Sequence, residues 1–89
     1  MTYAVEVVIT NKKQAKDPEG ETIHRYLILK QGIDSIESVR SGKYLLFKVK
    51  ARSPEEAVEV VRAVCEKYRI YNPTVHDIEV RLRAQSSDY

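Results

Sequence analysis

The 89-residue sequence has one cysteine, one phenylalanine and no tryptophan. A single cysteine excludes an internal disulfide framework and a zinc site built from several thiolates. With a single Phe and no Trp, stacking platforms for nucleic-acid bases are scarce. An excess of charge of one sign is missing too. Fifteen Lys+Arg against thirteen Asp+Glu leave a net charge of +2, far from the basic balance of a dedicated nucleic-acid binder. No apolar run approaches the roughly 20 residues needed to span a bilayer. Met1 to Glu6 has neither the basic nor the apolar region of a secretory signal, so the expected address is cytoplasmic. What is there, 43% hydrophobic and 31% charged residues, is the mixture of one small folded domain over 1–89. A chain this short buries only about 60–65% of its extended surface, so self-association would add to a small core.

The order of residues sets out the elements. Tyr3 to Thr10 alternates as a strand, with Tyr3, Val5, Val7 and Ile9 toward the core and Ala4, Glu6, Val8 and Thr10 away. Asn11 to Lys16 is a polar, basic loop. Asp17-Pro18-Glu19 starts a helix: the carboxylate caps free amides, Pro18 suits the first position, and Glu19 and Glu21 favour the positive end of the dipole. Ile23, Tyr26, Leu27 and Lys30 follow at helical spacing, and Gly32 closes the helix as a left-handed cap. Gly20 in the first turn costs about 1 kcal/mol of helix propensity.

Ile33 to Arg40 and Tyr44 to Ala51 read as two strands of a hairpin turning at Ser41-Gly42. In the second, Leu45, Phe47, Val49 and Ala51 face inward, and Leu46, Lys48 and Lys50 face solvent or a partner. Ser53-Pro54-Glu55-Glu56 is a capping box. It opens a helix whose stripe is Ala57, Val61, Val64, Cys65 and Tyr68, ending near Arg69 to Tyr71 before Asn72-Pro73. Val75 to Arg83 is the last strand, with Ile78, Val80 and Leu82 inward, and Ala84 to Tyr89 a frayed tail. The order βαββαβ predicts an α+β, ferredoxin-like sandwich: an antiparallel sheet with two helices on one face. The other face, with Val8 and Leu46, is open to association, and a dimer is expected.

Catalytic constellations are thin. His24 and His76 lie far apart and read as solvent-edge side chains; Cys65 sits on an apolar stripe without an adjacent base. Glu55 and Glu56 are explained by the helix cap and dipole. Arg40 and Lys43 flank the Ser41-Gly42 turn, where basic groups and free amides could hold a phosphate or a partner's carboxylate. Lys12, Lys13 and Lys16 form a second basic loop. A solvated surface is the plain reading of both clusters. An RNA-recognition motif shares the βαββαβ order, but Tyr44 and Phe47 fall on opposite strand faces and its Gly-aromatic run is absent. The Gly-rich arginine loop of acylphosphatases is missing too.

Asp17-Pro18-Glu19-Gly20, Val39-Arg40-Ser41-Gly42-Lys43-Tyr44, Cys65-Glu66-Lys67 and Asn72-Pro73 occur in this order and spacing. From Tyr3 to about Leu82 the chain thereby resembles the PurS family, small subunits of phosphoribosylformylglycinamidine synthase in purine biosynthesis. The costly Gly20 belongs to that pattern and suggests close backbone packing. Tyr68-Arg69-Ile70-Tyr71, His76 and a bulky first helix (Ile23, His24, Arg25, Tyr26) depart from it.

The resemblance implies a non-catalytic assembly subunit of an ATP- and glutamine-dependent ligase. It would form a homodimer or tetramer and join a PurQ-like glutaminase to a PurL-like synthetase, helping ammonia pass between them. ATP, Mg and glutamine would serve the complex, with no cofactor or metal on this chain and no nucleic acid or membrane as partner. Arg40, Lys43 and Tyr44, with Asn72 and Pro73 on a second surface, are the candidate partner contacts. The alternative is a stand-alone small-molecule or nucleic-acid binding module of the same fold.

Overall fold

Alternating apolar residues make Thr2–Asn11 the central strand β1. A computed structural model describes residues 1–13 and 16–85. In it β1 pairs antiparallel on one side with β2 (Gly42–Lys50) and on the other with β3 (His76–Gln85), giving the order β2-β1-β3. Tyr3, Val5, Val7 and Ile9 are buried as their alternation demands. Ala4 is buried as well, on the opposite face. Full burial of a valine such as Val5 or Val7 stabilises the fold by about 2 kcal/mol.

Helix α2 (Pro54–Lys67) begins as its sequence dictates. The Glu56 amide donates to Ser53 Oγ at 3.1 Å, and Glu56 returns its carboxylate to the Arg52 amide at 3.2 Å. Ala57, Val61 and Cys65, spaced by four, are buried on β1 and its neighbours. The stripe stops there, because Tyr68 is 65% exposed just past the helix end. Arg69 then takes a left-handed backbone, φ 53°, which ends the helical path. β2 and β3 run parallel on either side of β1, and α2 crosses over the sheet between them.

The first helix departs most from its expected form. α1 (Pro18–Thr22) is α-helical, Ile23–Ile28 continues with wider i→i−5 bonding, and Leu29–Gln31 tightens to 3₁₀. Gly32, at φ 80°, ends it as the expected left-handed cap. The wide turns break the 3.6-residue stripe, so Tyr26 and Leu27 emerge 57% and 61% exposed rather than buried. Neither α1 nor its wide continuation approaches a strand closely, so α2 alone covers the sheet.

The strand expected over 33–40 does not form, and Ser41-Gly42 makes no hairpin turn. Residues 33–41 instead run beside the first helix, where a Cβ on Gly20 would lie 2.4 Å from the Val39 carbonyl oxygen. The architecture is thus α+β with a three-stranded antiparallel sheet and two helical elements. At the other end β3 continues through Gln85, two residues past the predicted strand end; residues 86–89 of the expected tail lie outside the described residues.

Val61→Ala should lower unfolding stability by about 2 kcal/mol in urea titration, whereas Tyr68→Ala should change it by less than about 0.5 kcal/mol. Equal losses would contradict a buried helix stripe that ends at Cys65.

Candidate functional site

The end of β1, the start of β2, the end of α2 and the start of β3 meet at one end of the sheet. An open groove of about 290 Å³ lies there, lined by Ile9, Asn11, Glu19, Ser41, Lys43, Ile70 and His76 among others. Lys43 stands opposite Ile9 in the β1–β2 register and therefore on the α2 side. Arg40 reaches across to donate from its guanidinium to the Asn11 carbonyl.

A latch holds the entrance to β2. The Asp17 carboxylate accepts the Gly20 amide at 3.2 Å as a helix cap should, and also the Ser41 amide at 2.8 Å and the Ser41 hydroxyl. The Ser41 hydroxyl and amide, then Gly20 and the nearby Arg40 charge, hold the Asp17 carboxyl below its usual range. Sequence reading found the cap, but Ser41 lies 24 residues away and nothing local signals the second role. A Cβ at Gly42 would stand 2.5 Å from the Ile9 carbonyl oxygen, so this junction accepts only glycine without displacing β1.

Asn72 and Pro73 form a turn bonded mainly to itself. Asn72 Oδ1 accepts the Thr74 amide at 3.0 Å, and its carbonyl accepts the amides of Val75 and His76. His76 Nδ1 accepts the Asn72 amide at 3.0 Å, so Nδ1 is the unprotonated ring nitrogen. The Lys12 amide bonds the Val75 carbonyl at 2.9 Å and ties this turn to the end of β1. Asn72 and Pro73 are exposed, as are Arg40 and Lys43.

Tyr44 belongs to the other face. It stands opposite Val8 and donates its hydroxyl to Glu6 at 2.7 Å, which pushes the phenol's pKa up. Arg81 approaches the same Glu6 carboxylate at 3.8 Å. The five candidate contacts thus divide: Arg40, Lys43, Asn72 and Pro73 gather at the sheet end, and Tyr44 joins a polar network on the uncovered face. Glu6, Glu19 and Ile70 complete these surfaces and were not singled out from sequence.

Chemical groups elsewhere are engaged structurally. Cys65 is fully buried, and burial pushes its thiol pKa up, away from the thiolate a nucleophile needs. His24 is half-buried and donates from Nε2 to the Ile36 carbonyl at 2.7 Å. Among the described residues, no three His, Cys, Asp or Glu side chains converge to hold a metal ion. Among the described residues, too, no helix is long and apolar enough to cross a membrane.

The comparisons point one way. A family model described as PurS, phosphoribosylformylglycinamidine (FGAM) synthase, matches residues 4–84. The phosphoribosylformylglycinamidine synthase subunit PurS of Thermotoga maritima is 37% identical over 79 residues, covering 89% of this chain and 92% of that protein. The crystal structure of the T. maritima PurS subunit matches with a TM-score of 0.80 and 31% identity over 93% of each chain. A chain in the structure of PurLQS from T. maritima matches with a TM-score of 0.79 and 31% identity, over 93% of this chain and 99% of that one.

The Asp17 latch has a defined pH dependence. A carboxyl with a lowered folded pKa stabilises at neutral pH and loses that contribution as pH falls through the ordinary carboxylate range and below. Asp17→Asn should therefore flatten the decline in urea midpoint between about pH 7 and about pH 3. An unchanged acid decline would contradict the latch.

Proposed function

The chain belongs to the PurS family of phosphoribosylformylglycinamidine synthase subunits, and from that premise we propose how it serves the enzyme. It is a non-catalytic assembly subunit of an ATP- and glutamine-dependent ligase in purine biosynthesis. It joins a glutaminase subunit to a synthetase subunit and supports the passage of ammonia between them. The single observation that carries this reading is the match over 93% of the chain to a chain of PurLQS, a complex named for three subunits.

The geometry suits such a role. A sheet pinned by two full antiparallel pairings is a rigid bar, and rigid positioning of two active sites protects a diffusible intermediate from water. The protein acts in the cytoplasm as a homodimer, and ATP, Mg and glutamine are used by the complex rather than by this chain. Arg40, Lys43, Asn72 and Pro73 offer exposed charge and a stiff turn to one partner, and Tyr44 offers a second contact on the open face.

Light scattering coupled to size-exclusion chromatography tests the role. Mixed with its glutaminase and synthetase partners, glutamine and Mg-ADP, the chain should enter one larger peak. A chain that always elutes alone would remove the assembly reading and favour a stand-alone binding module. Arg40→Glu and Lys43→Glu should each weaken docking by about tenfold with far-UV circular dichroism unchanged, the effect expected of a rim charge. Wild-type docking and glutamine-dependent activity in both variants would remove the contact assignment.

A further inference from the structure

The groove at the sheet end carries polar groups of both signs, and the strand register explains how they meet. Lys43 stands opposite Ile9, and His76 stands opposite Asn11, two residues further along β1. Side chains two residues apart share a face, so all four project on the α2 side of the sheet. They line the groove with Ile70, which follows the end of α2, and with Glu19 from the first turn of α1.

Each polar group has bonding capacity to spare. Among the described residues, neither Lys43 Nζ nor the Glu19 carboxylate has a hydrogen-bond or ion-pair partner. Asn11 donates from Nδ2 to the Lys16 carbonyl at 2.9 Å, which fixes the amide and leaves Oδ1 as an acceptor. His76 Nδ1 accepts the Asn72 amide, so Nε2 carries the ring proton and is a donor. Lys43 and His76 lie on the strands flanking β1, about 12 Å apart at Cα by strand and residue spacing, and both side chains can reach one carboxylate between them.

We propose that this groove binds a free α-amino acid with an apolar side chain. Lys43 Nζ and His76 Nε2 hold its carboxylate, Glu19 and Asn11 Oδ1 hold its ammonium group, and its side chain lies on Ile9 and Ile70. The inference goes beyond the assembly role and does not rest on it.

The chemistry of the groove selects this class of ligand. A phosphate would gain Lys43 but meet the Glu19 carboxylate, a like charge on the same groove. A segment inside a peptide chain lacks the paired terminal charges that the two donors and two acceptors match. At about 290 Å³ the groove is at the small end of ligand sites, suited to an amino acid rather than a nucleotide. Lys43 and Glu19 are exposed, and an exposed charge contributes little by itself. Discrimination therefore depends on engaging both ends of the ligand at once, and the expected Kd is on the order of 1 mM.

An amide NMR titration of the full chain with L-methionine tests the site. The amides of Asn11, Gly42, Lys43 and His76 should shift saturably. Acetate, butylamine and N-acetyl-methionine amide, each lacking one or both terminal charges, should bind at least about tenfold more weakly. Glu19→Gln and Lys43→Gln should each weaken L-methionine binding by about tenfold, with the rest of the spectrum unchanged. No saturable shift, or equal binding by acetate, butylamine or the blocked amino acid, would overturn the proposal. Undiminished binding in either variant would overturn it too. The titration is read on this chain alone, and co-elution with the glutaminase and synthetase is read separately, so failure of the groove is distinguished from failure of the assembly role.

Discussion

The Asp17 carboxylate accepts hydrogen bonds from the Gly20 amide and from both the amide and hydroxyl of Ser41. The first bond caps a helix of only five α-helical residues. The other two determine where the chain enters β2 and in which direction it arrives. With Ser41 committed to Asp17, and Gly20 lacking the Cβ that would strike Val39, the segment before β2 lies along the helix instead of doubling back. Among the described residues the outer edge of β2 stays empty in keeping with this contact, because the segment that could pair there is held along the helix. A carboxylate with three donors also resists protonation, so the junction is firm at neutral pH.

The rest of the molecule is built to hold that end still. β1 is paired along nearly its whole length on both sides, and its inward residues meet Ala57, Val61 and Cys65 of α2. The Asn72 turn closes on itself through Thr74, Val75 and His76 and is stitched to β1 through Lys12. The buried thiol, the half-buried histidines and the capped carboxylates are all engaged in structure.

Much of this was readable in the sequence because it depends on neighbours a few residues apart. The inward set of β1, the Ser53–Glu56 cap and the Gly32 cap are local rules, and each holds; the close packing at Gly20, suggested by the family pattern, holds as well. The first helix and residues 33–40 departed from their expected forms for separate reasons. Helical spacing in Ile23, Tyr26, Leu27 and Lys30 assumes regular α geometry, and the wide turn over Ile23–Ile28 moves those side chains around the axis. Alternation in 33–40 shows that the segment can be a strand, but a strand exists only with a partner edge. The candidate contacts divided similarly. Arg40 and Lys43 flank one turn in sequence, but Tyr44, one residue on, must point to the other face of the sheet.

By itself, then, the sequence determined the α+β class, the inward face of β1, the helix caps and the family resemblance, since periodicity, caps and short motifs act over a few residues. Only the tertiary structure decided that Asp17 grips Ser41, that Lys43 and the Asn72 turn share one end of the sheet, and that the first helix leaves its own core uncovered. Those outcomes bring together groups tens of residues apart, and their geometry depends on strand register and chain direction, which no local pattern encodes.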